Sequence, residues 1–270
     1  MSVDLARQWF SGLRELRYAS TSKRLRATLD GTLVLDTTDA LLVWEPTRVV
    51  PHYAVPEAAL QVALVELPRI EPPDALPPVM GPQHFELHTC PGTPLAPAGG
   101  PMAGVEVAFR PDDDSLGGRV LLDFARFEWR EEDEPVMGHP HDPFKRIDVL
   151  RSDRHVVVTL DGTVLAESRR ATALYETLLP VRWYLPREDV RLDLLRPSST
   201  RSVCAYKGVA SYLSAEGEAG ADIAWYYPDP LHDAEEVRDL VAFWSERAQV
   251  TVDGVPVPGR MPDVGPPRRS

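Results

Sequence analysis

Residues 28–45 read TLDGTLVLDTTDALLVWE, and residues 159–176 read TLDGTVLAESRRATALYE. When the two segments are aligned without a gap, seven of the eighteen positions are identical. Both segments end in a glutamate, Glu45 in the first and Glu176 in the second. Similarity within one chain is typical of a repeated structural unit. The sequence therefore predicts two copies of one domain, and the differences between the copies indicate where function lies.

Each copy opens with a pattern that predicts a β-hairpin. Asp-Gly separates two runs rich in branched residues at Asp30-Gly31 and at Asp161-Gly162, and a third such pair occurs at Asp253-Gly254. Asp-Gly favours the positive φ angles of a type I′ turn. Helix signals are few, and the clearest outside the N-terminus is a capping pattern at Asp233 with acidic residues after it. We expect a mainly β protein with short helices.

The repeat and the composition shifts between its copies predict five segments. They are an N-terminal amphipathic helix (1–20), a first, degenerate repeat domain (21–135), a joint (136–153), a second repeat domain (154–255) and a disordered tail (256–270). The first copy carries additional proline-rich residues over 66–81, which we expect to form an extended loop.

Charge and composition exclude several classes of partner. The net charge is −12, with 41 acidic and 29 basic residues, so neither nucleic acid nor an anionic membrane surface is an expected partner. No apolar run approaches the roughly 20 residues that span a bilayer. Two cysteines make no disulfide scaffold, which favours a cytoplasmic location. Neither a glycine-rich phosphate loop nor a serine nucleophile elbow occurs, and no cofactor is expected.

Several segments of the second copy resemble one protein family. The segments are Ser168-Arg169-Arg170-Ala171, Tyr184-Leu185-Pro186-Arg187-Glu188-Asp189-Val190, Cys204-Ala205-Tyr206-Lys207-Gly208-Val209-Ala210-Ser211-Tyr212 and Ala224-Trp225-Tyr226-Tyr227-Pro228-Asp229-Pro230. They resemble the domain of unknown function 427 family, whose members carry Cys-Pro-Tyr/Trp-Lys-Gly-x-Ala-x-Tyr and Trp-x-Tyr-Pro-x-Pro stretches in this order. Ala205 replaces the proline that usually follows the cysteine. The resemblance is specific over residues 154–247 and looser over residues 24–130.

The resemblance implies a fold and a broad class, without a reaction. It implies two tandem β-tent-like domains in a protein of bacterial type. The family also carries a nucleotidyltransferase label, but no mechanism follows from that label.

Three residues of the second copy are candidates for catalysis: Lys207, Glu176 and Cys204. A lysine can anchor an anion, a buried glutamate can move a proton, and a thiolate is a nucleophile. Each also has a structural interpretation. Cys204 fits a small buried residue, because the first copy keeps Cys90 at a matching place. Glu176 fits a structural ion pair with Arg169 or Arg187.

A second group of residues is predicted to bind a ligand. Arginine forks suit carboxylate and phosphate oxygens, and aromatic side chains can wall a pocket. The predicted ligand-binding residues are Arg169, Arg187, Tyr206, Trp225 and Tyr212.

A metal site is the competing interpretation in the first copy. His84, Glu86, His88 and Cys90 are spaced by two, so on a strand they would share one face. Histidine, carboxylate and thiolate are zinc ligands, but paired Cys-x-x-Cys hooks are missing. We therefore expect a polar stripe and no metal.

These features leave three functions open. The first is an enzyme that acts on a small anionic metabolite in the second copy. The second is a ligand-binding or sensor module without catalysis. The third is a scaffold that binds a protein partner through its acidic surface. Positive groups, a carboxylate and a thiol in one domain favour the enzyme, whereas the oligomeric state does not follow from the sequence.

Overall fold

The computed structural model describes residues 11–75, 77–84 and 87–259, together with residues 2, 5 and 8. The chain divides into two compact units, residues 1–142 with 266–270 and residues 143–265. Most of the predicted tail and seven residues of the predicted N-terminal helix fall outside the described residues, while residues 5, 8 and 11 are helical. Within the predicted helix, however, Arg17–Thr21 is a β-strand. This part of the helix prediction was wrong, because these residues pair along their whole length with residues 40–44.

The first unit contains eleven described strands, which we number in chain order. They are β1 Arg17–Thr21, β2 Leu25–Leu29, β3 Thr32–Thr37, β4 Ala40–Trp44, β5 His52–Pro56, β6 Leu64–Glu66, β7 Gly92–Pro97, β8 Ala108–Pro111, β9 Arg119–Leu122, β10 Glu128–Glu131 and β11 Glu134–Val136. The proline-rich segment after β6 contains no strand among its described residues, as expected.

The second unit also contains eleven described strands. They are β12 Ile147–Arg151, β13 Val156–Leu160, β14 Thr163–Ser168, β15 Thr172–Glu176, β16 Arg182–Leu185, β17 Arg196–Cys204, β18 Gly208–Ser214, β19 Ala224–Tyr226, β20 Val241–Phe243, β21 Gln249–Val252 and β22 Val255–Pro256. The structure places β12 in this unit, inside the segment predicted as a joint, because it pairs with β15.

The two units have the same strand order. Each has a seven-stranded sheet, β1-β4-β5-β9-β8-β7-β6 in the first unit and β12-β15-β16-β20-β19-β18-β17 in the second. Each also has a four-stranded sheet, β11-β10-β2-β3 and β14-β13-β21-β22. Every strand of one unit therefore has an equivalent in the other. The prediction of a mainly β fold with two repeated units is confirmed.

The Asp-Gly pairs form the predicted hairpin turns. Asp161 has φ 48° and Gly162 φ 81°, and the pairs at residues 30–31 and 253–254 have similarly positive angles. Two successive positive φ angles are the mark of a type I′ turn, whose twist matches that of the flanking strands. The hairpins join β2 to β3, β13 to β14 and β21 to β22.

Each seven-stranded sheet buries apolar side chains on both faces. On one face the residues of the four-stranded sheet contribute to a large core, in which Leu25 and Leu35 pack with Tyr53 in the first unit. On the other face lies a smaller cluster, which in the second unit includes Leu174, Tyr184 and Trp225. Burial of this size is the main source of stability in a domain of roughly 120 residues. The smaller cluster of the second unit borders the site described below.

Short 3₁₀ helices connect the strands. They are Glu57–Ala59, Pro82–His84, Asp114–Leu116, Phe124–Arg126, Arg187–Asp189, Leu192–Leu194, Glu218–Gly220 and His232–Val237. The last begins after Leu231, without a side-chain cap, and is interrupted by non-helical angles at Ala234. The capping role predicted for Asp233 was therefore wrong, because the helix begins one residue earlier, at His232, and Asp233 lies within its first turn.

Candidate functional site

A buried charge cluster brings together the ends of three segments of the second unit. Glu176 ends β15, Lys207 lies in the turn between β17 and β18, and Lys145 precedes β12. The Lys207 Nζ lies 2.5 Å from Glu176 Oε2, and the Lys145 Nζ lies 3.3 Å from Glu176 Oε1. The side chains of Glu176, Lys207 and Lys145 are 9%, 11% and 18% exposed. We call these three residues the Lys-Glu-Lys cluster.

The contact between Lys207 and Glu176 depends on the curvature of the sheet. Four strand steps separate β15 from β18 in the sheet order. At about 4.8 Å a step, a flat sheet would place the two strands roughly 19 Å apart. A lysine and a glutamate side chain cannot span that distance, so the sheet must curl for the two ends to meet. Strand twist and coiling supply such curvature.

Backbone contacts hold the two lysines in place. Leu231 N donates to the Lys207 carbonyl over 3.2 Å, which ties the turn to the segment that covers the sheet. Gly208, next to Lys207, has φ +90°, an angle that glycine adopts without strain. On the other side, Thr177 N donates to the carbonyl of Arg146, the neighbour of Lys145, over 3.0 Å.

The electrostatics of the cluster stabilise its charged form. Burial alone would raise the pKa of Glu176, but Lys207 and Lys145 outweigh it, and the pKa of Glu176 is lowered. Burial alone would lower the pKa of Lys207, but Glu176 outweighs it, and the pKa of Lys207 is raised. Two ammonium groups and one carboxylate therefore leave the cluster with one excess positive charge near neutral pH.

Other polar side chains lie close to this cluster. Cys204 ends β17 and pairs with Gly208 across the turn. The side chains of Cys204 and Tyr184 both raise the pKa of Lys207. The Trp225 Nε1 donates to the Tyr184 hydroxyl over 3.2 Å. Burial is the largest cause that raises the pKa of Tyr184 to about 12, so this phenol stays protonated at neutral pH. Of the predicted residues, Lys207, Glu176, Cys204 and Trp225 thus lie in one neighbourhood.

The predicted arginines make contacts elsewhere. The Arg187 guanidinium lies 4.9 Å from the ring centre of Tyr226, a residue that packs against the large core on the opposite face. Arg169 contributes, after Arg154 and His155, to the lowered pKa of Asp253. Glu176 does form an ion pair, but with the two lysines and with neither arginine.

The remaining predicted ligand-binding residues have separate surroundings. Tyr206 is buried, with 5% of its surface exposed, in the turn that carries Lys207. The Tyr212 hydroxyl lies 2.7 Å from Ser202 Oγ on the neighbouring strand. Neither residue has a described contact with Glu176.

Strand register identifies the equivalent positions in the first unit. Leu41 and Thr172 correspond in the aligned repeat, and pairing across the sheet from them makes Phe109 equivalent to Trp225. Pairing onward from these two residues makes Pro94 on β7 equivalent to Tyr212 on β18. Counting back five residues makes Thr89 the equivalent of Lys207.

The same register overturns the match between the two cysteines. Cys90 precedes β7 and is equivalent to Gly208, whereas Cys204 lies on β17, one strand further along the sheet. The loop lengths differ between the copies, and this brings two unrelated cysteines to similar places in the sequence. The comparison therefore carries no argument that Cys204 is structural.

In the first unit the equivalent glutamate is completely enclosed. Glu45 is 0% exposed, and Arg48 Nε, His52 Nε2 and His88 Nδ1 lie 3.1–3.2 Å from its Oε2. Its Oε1 accepts hydrogen bonds from Thr89 N over 2.9 Å and from the Cys90 thiol over 3.4 Å. Burial is the largest cause that raises the pKa of Cys90, and Glu45 adds to it. These contacts make Glu45 and Cys90 parts of a closed structural network.

The residues of the metal alternative that the structure describes do not lie together on one strand. Across the described residues, no group of three or more histidine, cysteine, aspartate or glutamate side chains is arranged to hold a metal ion. Glu86, one of the four predicted ligands, lies outside the described residues. His84 belongs to a 3₁₀ helix, whereas His88 contacts Glu45 and Glu106, so a strand with one polar face does not form here.

An open groove of about 770 Å³ lies elsewhere in the second unit. Its lining residues are Arg151, Ser152, Asp153, Arg154, Arg170, Thr172, Glu236 and Leu240. The Lys-Glu-Lys cluster contributes none of them. Two of its arginines are already paired, Arg154 with Asp253 and Arg170 with Asp189. We give the cluster more weight than the groove, because the charged side chains of the cluster are largely buried, whereas those of Arg154 and Arg170 are 51% and 60% exposed.

Lys145 is the site residue that sequence analysis missed. Only three of the 29 basic residues are lysines, and each contacts a glutamate that is largely buried. Lys23 lies 2.5 Å from Glu131, and Lys145 and Lys207 both contact Glu176. The rarity of lysine in an arginine-rich chain was the signal that would have singled out Lys145.

Comparison with known proteins places the second unit in a family. No helix among the described residues is long and apolar enough to cross a membrane. A search of curated proteins finds no match to the chain. Residues 148–254, which span β12 to the last hairpin turn, match the family model described as Domain of unknown function (DUF427). The match covers the second unit, which contains the Lys-Glu-Lys cluster, so it is this unit of the chain that is similar to the family of domains of unknown function.

Proposed function

We propose that the second unit binds a small anionic molecule at the Lys-Glu-Lys cluster. The observation that carries this proposal is the charge imbalance of the cluster: two ammonium groups share one carboxylate in a largely buried setting. An ammonium group that lacks a full counter-charge away from bulk water favours an anion beside it. Lys145 is the more exposed lysine and has the longer contact, so it is the group that meets the ligand.

Comparison with the first unit supports this assignment. There the backbone of Thr89 reaches Glu45 directly, whereas Lys207 at the equivalent position reaches Glu176 with the end of its side chain. In the second unit, the Lys207 side chain therefore bridges the turn after β17 and the end of β15, whereas the first unit uses a direct backbone contact. In the first unit, Arg48, His52 and His88 surround the carboxylate and leave it no exposed surface.

Catalysis on that anion is the second candidate function, and Cys204 is the observation that favours it. The Cys204 side chain raises the pKa of Lys207, and it is only partly buried. A thiol beside a lysine is a candidate nucleophile. Glu176 is less suited to move a proton, because its lowered pKa makes it a weak base near neutral pH.

The first experiment measures binding of simple anions to the full chain. Inorganic phosphate and acetate are titrated at low salt by calorimetry, and native mass spectrometry shows whether the purified protein already carries an organic anion. We expect Lys145→Met and Lys207→Met each to weaken binding at least tenfold. A tenfold loss corresponds to about 1.4 kcal/mol.

Lys23→Met is the matched control. Lys23 pairs with Glu131 over 2.5 Å, the same distance as the pair of Lys207 with Glu176, but in the first unit. Its replacement removes a lysine-glutamate pair while leaving anion binding unchanged. Equal binding by the wild type and both cluster variants would contradict the proposal and favour a scaffold that binds a protein partner.

Turnover separates the binding module from the enzyme. If native mass spectrometry identifies a bound molecule, its conversion is followed for the wild type and for Cys204→Ser. An enzyme that uses the thiol loses conversion but keeps binding, whereas a binding module converts nothing in either form.

A further inference from the structure

The two equivalent glutamates differ in how many hydrogen-bond donors surround them. A carboxylate has about four acceptor positions on its two oxygens. Glu45 in the first unit has four such contacts, with Arg48 and His88 at Oε2 and with the Thr89 amide and Cys90 thiol at Oε1, and His52 Nε2 lies 3.2 Å from Oε2. In the described part of the chain, Glu176 has two, with Lys207 at Oε2 and with Lys145 at Oε1.

Glu176 therefore has fewer donors from the protein than Glu45 has. Its side chain is 9% exposed, so bulk water has little access to it. Buried polar groups in folded proteins are almost always satisfied by hydrogen bonds. The closed network around Glu45 shows what full satisfaction of this carboxylate requires in the same fold.

From this difference we infer the chemical class of the ligand: a small carboxylate or phosphate that carries a hydroxyl or amino group next to its anionic group. This inference rests on the proposed function. The ligand's anionic group binds Lys145, and its neighbouring O–H or N–H donates to Glu176 Oε1. Glu176 keeps its contacts with Lys207 and Lys145, so the ligand supplies a third donor to the carboxylate, while the remaining N–H groups of Lys145 bind the anionic group.

The burial of the three side chains agrees with this division of roles. Lys207 has the shorter contact and the less exposed side chain of the two lysines, so it orients Glu176. Lys145 has a 3.3 Å contact and an 18% exposed side chain, so its remaining N–H groups are the ones that can reach a ligand. A ligand with both groups adds a counter-charge for Lys145 and a third donor for Glu176. A ligand with the anion alone would add the counter-charge and leave Glu176 with its two donors.

The test compares glycolate with propionate, which have similar size and the same charge but differ in one hydroxyl group. Their affinities for the full chain are measured by calorimetry or by displacement in NMR. We expect glycolate to bind at least tenfold more tightly than propionate. In Glu176→Gln the ratio should fall towards one, while propionate binds more tightly than to the wild type because a negative charge has been removed.

The outcomes distinguish this inference from the proposed function. If both compounds bind equally and both are lost in Lys145→Met, the anion site stands and the inference about the hydroxyl or amino group is wrong. If neither compound binds and phosphate does not bind either, the proposed function fails. The ratio in the wild type alone suffices if Glu176→Gln does not fold, and Glu188→Gln, an exposed surface change, is the control for the loss of one negative charge.

Discussion

At the scale of single residues, one glutamate in each unit occurs in two different electrostatic settings. Burial alone would raise the pKa of Glu45, but the charges and hydrogen bonds of His88 and His52 outweigh it, and the pKa is lowered well below its usual range. Glu176 reaches a lowered pKa with Lys207 and Lys145. Both carboxylates are therefore ionised in the folded protein. The first depends on a titratable histidine, whereas the second depends on two lysines, and the pKa of one of them, Lys207, is raised.

His88 should make the stability of the protein fall at alkaline pH. Burial lowers its pKa, but Glu45 and Glu106 outweigh burial and raise it from 6.5 to about 9. Because the folded pKa is the higher one, the stabilisation is complete below pH 6.5 and is lost as the pH rises through 9. We expect the free energy of unfolding to fall by on the order of 2–3 kcal/mol between these values, as measured by urea denaturation.

The neighbours of His88 define the control for this prediction. The pKa of His52 is lowered, chiefly by burial, so its own contribution is lost on the acidic side and does not mimic the alkaline loss. Arg48 stays charged throughout. His88→Gln should flatten the alkaline fall, and His232→Gln, whose side chain is 86% exposed, should leave it unchanged. An equal alkaline fall in the wild type and His88→Gln would show that another group is responsible.

At the scale of elements, β7 and β18 are equivalent strands with different packing. Gly92 begins β7, and a Cβ there would lie 2.4 Å from the Arg110 carbonyl oxygen and 2.4 Å from the ring of Phe109. That ring is stacked on His88, with ring centres 3.7 Å apart. The equivalent position in β18 is Ala210, which is buried without such crowding. The closed network around Glu45 thus extends into β7.

Gly92→Ala should therefore destabilise the protein, by about 1–3 kcal/mol as is typical of overpacking. Neither the backbone of Arg110 nor the Phe109 ring, which is stacked on His88, can move away easily. Ala210→Gly is the reciprocal change and should cost only about 0.5–1 kcal/mol, the entropic cost of glycine in a strand. Urea denaturation of both variants checks the difference. A larger loss in Ala210→Gly than in Gly92→Ala would contradict the assigned packing.

At the scale of the whole molecule, each unit completes its own sheets. All strands of the two sheets in the second unit lie between Ile147 and Pro256, and both of its apolar clusters are built from the same range. No described strand of one unit pairs with a described strand of the other. A unit with complete sheets and its own core meets the physical requirement for independent folding.

A fragment of residues 143–259 should therefore fold by itself. Its far-UV circular dichroism should show β structure, and it should unfold cooperatively on heating. The fragment should also keep the anion affinity of the full chain, because all three residues of the Lys-Glu-Lys cluster lie within it. A fragment without a cooperative transition would mean that the second unit depends on the first.

The sequence by itself determined the repeat, the β class and the hairpins. Asp-Gly turns and alternating patterns act between neighbours in the chain, so residues 28–45 and 159–176 were sufficient to predict them. The sequence also identified Lys207 through the family motif and Glu176 through the repeat.

Only the tertiary structure decided which side chains meet. The curl of a seven-stranded sheet brings Lys207 to Glu176 across four strand steps, and it leaves Arg187 on the opposite face. The structure also shows that Cys204 and Cys90 are not at equivalent positions, although the loop lengths give them similar places in the sequence. Contacts between distant segments depend on register and curvature, which are summed over many strands and cannot be read from any one of them.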